Sequence, residues 1–325
     1  MPSIPKIKDG VLARIWEELK HINYQQLNEK TGRSFTLVLA GTKEETAAMR
    51  VWLERVEYPL LRRWAADAPV RQDTDAARLR RRLRVVTLRD AGDIAQLPEE
   101  DRAVLRRAVC CVTTPRWATL LAPHAADVQV FEEGGGEELA DEMLEAFPDL
   151  RFALSYSFPA FRAAHARREI RATAMQNAGW ALFPAAPNLV PNPGQVFTVP
   201  AEAVSDFVVL TTNEIKMLFE LVALCGRRVQ PLQLVPEFGI VLGLAKLAEV
   251  TATNLTGKAP GAGPVIKGGV AFAFTSAIGE ALFLYQLTGI QLGRDFIEQR
   301  AKAWLAEGKK VAGRLIKRGK EEEEE

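Results

Sequence analysis

A chain of 325 residues has room for two domains of ordinary size, each with its own core. Apolar residues make up 48% and the formal net charge is +1, which excludes a disordered chain and a generic attraction to nucleic acid or other polyanions. Three cysteines, two of them adjacent at Cys110 and Cys111, give neither a disulfide framework nor a metal-binding spacing and point to a reducing, cytosol-facing environment.

The start, MPSIPKIKDG, leads into an amphipathic pattern rather than a continuous apolar run, so no secretory signal is expected. Asp9 to Ile22 reads as a helix. Val11, Leu12, Ile15, Trp16, Leu19 and Ile22 recur at helical spacing, with Arg14, Glu17, Glu18 and Lys20 opposite. Such a stripe docks on the protein's own core; a membrane-surface helix is the sharper alternative. Residues 1–32 are therefore set apart as a lead-in.

Phe35 to Ala40 is a short apolar run closed by Gly41, and a helical pattern follows to about Trp64. A buried strand, a glycine turn and a helix open an open α/β domain. Further strands are predicted at Leu83 to Leu88, Val109 to Thr113, Val128 to Phe131 and Phe152 to Leu154. Helices are predicted at Pro98 to Arg107, at Glu137 to Phe147 and from Pro159 onward. This alternation predicts a mainly parallel sheet over residues 33–157. Ala76 to Arg84 concentrates five arginines, either a solvated helix surface or a contact for phosphate or acidic lipid.

From Phe158 to Gly293 the composition turns apolar, and an all-α domain is predicted. Ala172 to Ala201 carries no ionisable side chain, but Pro184, Pro187, Pro191, Pro193 and Pro200 forbid one continuous helix there. Amphipathic helices are predicted at Val204 to Cys225 and at Pro236 to Leu255. Gly268 to Gly293 has the ~20 residues a membrane span needs, with Glu280 its single charge before Gly293. Within it Gly269, Ala273, Ala277 and Ala281 recur at intervals of four, a small-residue stripe that lets two helix backbones approach closely. This half can pack as a soluble helical domain, lie on a membrane or insert as a hairpin, the charge at Glu280 weighing against simple insertion. Residues 294–325 read as a charged helix with a disordered acidic tail.

A phosphate cradle would read G-x-x-x-x-G-K-[ST] after the first strand. Gly41, Thr42, Lys43, Glu44, Glu45, Thr46, Ala47 and Ala48 stand there instead. Gly41 fits, but Thr46, Ala47 and Ala48 replace the second glycine, the lysine and the hydroxyl, and Glu44 and Glu45 bring negative charge to the helix N-terminus. Gly41, Thr42, Lys43 and Thr46 thus mark a degenerate phosphate loop, with no nucleotide or other cofactor expected. His21, His124 and His165 have no companions at ligand spacing, so neither a metal nor a catalytic set is expected. Cys110 and Cys111, in a predicted strand, read as packing residues. Glu132 and Glu133 before three glycines read as a strand-to-helix turn.

The stretches FPAFR at Phe158, REIRATAMQNAGWAL after it, SDFVVLTTNEIKML at Ser205, CGR at Cys225, VPEFGIVLG at Val235 and PVIKGGVAFAFTSAIGEAL at Pro264 occur in an order that resembles a bacterial family. That family joins an Era-like GTPase domain to a hydrophobic, helical C-terminal domain of unknown function, often membrane-associated. The resemblance covers roughly residues 155 to 290 and implies a P-loop GTPase-like first domain. No guanine-reading N-K-x-D follows Val109 to Thr113, where Thr113, Thr114, Pro115 and Arg116 stand, and Arg89, Asp90, Ala91 and Gly92 do not form D-x-x-G. No GTPase residue carries over. The expectation is a non-catalytic scaffold on the cytoplasmic side of the cell membrane, self-associating or holding a protein partner, with a lipid surface as a further contact. A nucleotide switch with an unorthodox phosphate site and a soluble oligomeric adaptor are the alternatives.

Overall fold

Four short apolar runs pair side by side in one direction. β1 (Leu37–Gly41), β2 (Leu83–Thr87), β3 (Cys110–Thr113) and β4 (Val128–Val130) form a parallel sheet in the order β2-β1-β3-β4. Leu37 lies in register with Leu83 on one side and Cys110 on the other, and Cys111 with Val128. The computed structural model describes residues 14, 15, 17, 19, 20, 22–71, 76–182, 206–256 and 263–324.

Parallel strands require crossovers, and helices supply them on both faces. The α/β part contains α1 (Tyr24–Gly32), α2 (Lys43–Leu53), α3 (Pro59–Trp64), α4 (Ala76–Arg82), α5 (Ala91–Ala95), α6 (Glu99–Arg107), α7 (Pro115–Leu121), α8 (Gly136–Ala146) and α9 (Arg151–Ser157). Side chains alternate along each strand. Leu37, Leu39, Cys110 and Val112 therefore pack one face against Met49, Trp52, Met143 and Phe158. Val38, Ala40 and Cys111 pack the other against Ile94, Leu105, Trp117 and Leu121. Gln25–Arg167 with Val222–Val229 make one compact unit. Asn28 clamps the returning segment, its Nδ2 donating to the Val229 carbonyl at 3.1 Å and its Oδ1 accepting from Val229 N at 3.0 Å.

Several expectations need correction. Phe152 to Leu154 is not a strand but part of α9. Three apolar residues are too few to show a period, and a 3-10 turn at Pro148–Leu150 starts the helix, which Arg151 pins by donating to the Leu144 carbonyl at 2.6 Å. The single helix expected from Gly41 to about Trp64 is two, because α2 ends at Leu53 and Pro59 opens α3 with a residue that cannot continue a ladder. The acidic tail is not disordered as far as Glu324, where α14 (Arg294–Glu324) ends. No proline or glycine interrupts the glutamates, and Lys317 pairs with Glu321 one turn on at 3.8 Å. Of the helix expected at Asp9 to Ile22, Arg14, Ile15, Glu17, Leu19 and Lys20 are helical and Ile22 is not; the other positions lie outside the described residues.

The described parts of 14–24, 168–221 and 230–324 form a second compact unit, all helical. It holds most of α10 (Arg162–Leu182) and α11 (Asp206–Leu224), and all of α12 (Val235–Thr256), α13 (Gly263–Thr288) and α14. Much of the charge-free, proline-rich stretch, residues 183–201, lies outside the described residues. α13 is nearly all buried. Its Phe272 joins Ala174, Ala178 and Val311 in a shared apolar cluster. Two close approaches explain its glycines. A Cβ on Gly279 would lie 2.7 Å from Ile170, and one on Gly308 of α14 would lie 2.4 Å from the Gly269 carbonyl oxygen.

Gly308→Ala is expected to cost about 1–3 kcal/mol through overpacking against backbone, outweighing alanine's helix-propensity gain of about 1 kcal/mol. Gly313 lies on the same helix, and a Cβ there would meet nothing within 4 Å. It is the control: Gly313→Ala should stabilise by up to about 1 kcal/mol. Urea unfolding of the two variants checks the difference in sign.

Candidate functional site

Ligands of open α/β sheets bind beyond the carboxyl ends of the strands. Here that edge is formed by Gly41 at the end of β1, the start of α2, the β3–α7 connection and the loop after β4. Thr42 is the N-cap of α2 in extended geometry, and its side chain accepts from Glu45 N at 3.2 Å. Glu45 reaches back, so that its Oε2 accepts from Thr42 N at 2.7 Å and closes a capping box.

The carboxylate is held from the start of α7 as well. Trp117 Nε1 donates to Oε2 at 2.7 Å, and Thr114 Oγ1 donates to Oε1 at 2.9 Å. Partial burial would raise the Glu45 pKa, but the hydrogen bonds from Thr42, Trp117 and Thr114 outweigh it and hold the carboxyl below the ordinary value of 4.5. Gly41 makes room for this arrangement: a Cβ there would lie 2.8 Å from Glu45 Oε2. A helix N-terminus that would otherwise attract an external anion is thus supplied with an internal one.

The structure brings Gly41, Thr42, Lys43 and Thr46 to this edge. Lys43 is the first residue of α2 and is exposed. Thr46 is buried, and its hydroxyl donates to the Thr42 and Lys43 carbonyls at 2.9 and 3.1 Å, so it is committed to the helix backbone. Glu45, which in the sequence reads only as a repulsive charge, is the residue the edge is built on. The local pattern does carry a signal for it, since Thr42-Lys43-Glu44-Glu45 matches the capping box [ST]-x-x-[DE]. Thr114 and Trp117 carry no such signal, because their partner is remote in sequence.

Beside this edge lies a cleft of about 650 Å³ lined by Glu45, Trp52, Arg55, Thr114, Phe131, Glu132 and Glu133 among others. Arg55 is the one cation among the lining residues, against Glu45, Glu57, Glu132 and Glu133. That balance repels phosphate. Among the described residues no group of three His, Cys, Asp or Glu is placed to hold a metal. Cys110 and Cys111 are fully buried; burial pushes the Cys111 thiol up to about 12 and the Cys110 thiol higher than its ordinary value, so neither is a thiolate. Ser155 Oγ and His165 Nδ1 stand 2.9 Å apart but are fully buried, out of reach of a substrate.

Gly269, Ala273, Ala277 and Ala281 lie in the helical unit, buried on α13. Gly269 faces α14, where a Cβ would lie 3.1 Å from Lys309 N. The apolar run's charge, Glu280, accepts two bonds from Arg300, at 2.6 and 2.7 Å, and one from Trp304 Nε1 at 3.0 Å.

No family model, curated protein or solved structure matches this chain.

Replacing Glu45 by Ala should cost about 1–3 kcal/mol at pH 7, because it leaves charge-assisted donors without their acceptor. A carboxyl whose folded value is depressed contributes stability that is present above the unfolded value and lost as pH falls through the folded one. The gap between wild type and Glu45→Ala should therefore be full at neutral pH and shrink below pH 4.5. Chemical denaturation at a series of pH values checks both.

Proposed function

We propose that this chain is a non-catalytic, GTPase-like scaffold in which the Glu45 carboxylate replaces the phosphate of a nucleotide. The observation that carries this reading is the convergence of Thr42 N, Trp117 Nε1 and Thr114 Oγ1 on that one carboxylate. A nucleotide-binding site directs several donors, a lysine and a metal-held hydroxyl at an incoming phosphate. In this chain the donors are satisfied internally, the hydroxyl of Thr46 is turned to backbone, and no lysine occupies the expected helical position. The parallel sheet, with a glycine after its first strand and a helix next, supports descent from a P-loop layout. The order of the C-terminal stretches supports kinship with the Era-like family that carries an apolar helical domain.

The scaffold reading places the protein on the cytoplasmic face of the membrane, holding a protein partner or a second copy. Its support is the apolar composition of the second half and the length of α13, whose Val265–Thr288 is long and apolar enough to cross a bilayer. The burial of that same helix inside its own unit favours a second reading, a soluble oligomeric adaptor.

Calorimetry with magnesium and GTP or ATP is expected to show no binding in the micromolar range. Micromolar binding that a folded Gly41→Val variant abolishes would overturn the proposal. For location, the expressed protein should sediment with membranes at low salt and leave them in carbonate or high salt if peripheral. Full recovery in the soluble fraction at low salt, without detergent, would select the adaptor.

A further inference from the structure

Three helices of the second unit bury polar side chains together. Asn177 on α10, Asn213 and Glu214 on α11, and Thr275 on α13 are all buried. They form a directed chain. Asn213 Nδ2 donates to Asn177 Oδ1 at 2.8 Å, Asn177 Nδ2 donates to Thr275 Oγ1 at 2.9 Å, and Thr275 Oγ1 donates to Glu214 Oε1 at 3.2 Å. Asn177 Nδ2 also approaches the Leu210 carbonyl at 3.4 Å. The chain ends at Glu214 Oε2, which has no hydrogen-bond partner among the described residues although the residue is only 3% exposed. Thr211, three residues earlier and so on the same side of α11, is fully buried, and its hydroxyl equally has no partner among the described residues.

The same unit shows how a buried carboxylate is ordinarily satisfied. Glu280 has a bidentate arginine and an indole donor. Glu214 has one hydroxyl. From α13 it accepts from Thr275, whose hydroxyl in turn accepts from Asn177 of α10; both are uncharged, and among the described residues no charged group contributes to its titration. Burial drives its pKa from 4.5 to about 8, opposed only by the Thr275 hydrogen bond.

We propose that this cluster is a binding site for one small monovalent cation of the alkali class. Glu214 supplies the balancing charge, and the hydroxyl oxygens of Thr211 and Thr275 supply neutral ligands, with Asn177 Nδ2 holding the Thr275 hydroxyl in place. Each hydroxyl oxygen retains a lone pair beyond the hydrogen bonds described. An oxygen-only donor set selects hard cations and gives soft or imidazole-preferring transition metals nothing to hold. One carboxylate neutralises one positive charge; a divalent ion would leave an uncompensated charge in a low-dielectric interior. Proton and cation compete for the same carboxylate, so binding strengthens as pH rises toward and past 8. The bound ion would tie α11 and α13 together.

The test is thermal melting of the full chain in lithium, sodium, potassium or choline chloride at equal ionic strength, at pH 8.5 and pH 6. At pH 8.5 one alkali ion should raise the midpoint over choline by roughly 3 °C or more at saturation, with a smaller rise at pH 6. Glu214→Gln should melt higher than wild type in choline at pH 8.5 and show no ion-specific rise. Identical wild-type midpoints in all four salts, or an alkali-specific rise retained in Glu214→Gln, would overturn the site. If Glu214→Gln does not fold, the wild-type comparison decides: an ion-specific rise larger at pH 8.5 supports the site, and a rise equal at both pH values rejects it.

Discussion

Glu45 sets one negative charge where three donors from two adjacent elements converge, and the carboxyl edge of the sheet is arranged around that contact. The start of α2 would present unsatisfied backbone N–H groups to solvent or to a ligand. The capping box satisfies part of them, and Trp117 and Thr114 bind the same carboxylate to the β3–α7 connection. Gly41 leaves room for it, since a Cβ there would lie 2.8 Å from Glu45 Oε2 and press on the carboxylate. Gly41 thus serves an internal contact at the start of α2. The acidic cleft beside it agrees with that reading, since four carboxylates around one arginine repel nucleotides.

The helical unit depends on close backbone approach and on how it disposes of buried charge. Gly269 and Gly308 let α13 and α14 cross with backbone in contact, and Gly279 admits Ile170 and Met217. Such approaches make α13 the centre of its unit and bury the length that would otherwise match a bilayer. Two of its buried carboxylates are treated differently. Glu280 is neutralised by Arg300, whereas Glu214 meets only neutral groups among the described residues, and burial pushes its pKa up to about 8.

Much of the architecture is legible in the sequence because its signals are local. Four apolar runs with helices between them give a parallel sheet, and the strands at Leu37, Leu83, Cys110 and Val128 fall where the pattern places them. Phe152 to Leu154 misleads because a three-residue apolar run fits either period, and the proline turn before it decides for helix. The glutamate tail misleads because composition suggests disorder while no proline ends the helix before it. At the candidate site, the degenerate loop is visible residue by residue. Glu45's remote partners are not, because a charge at a helix start reads as repulsive toward phosphate whether or not distant donors occupy it. Only folding brings Thr114 and Trp117 within hydrogen-bond distance. The Glu214 cluster is hidden for the same reason, its members coming from three separate helices.

The most direct test of the central claim is the titration of the Glu45 carboxyl carbon by NMR, assigned by its loss in Glu45→Gln. If the carboxylate fills the phosphate position as an internal anion, its pKa lies below 4.5 and the signal does not move when magnesium and GTP are added. A pKa at or above 4.5, or a shift that saturates with GTP, would show that the donors at the start of α2 are available to an external phosphate and would contradict the account.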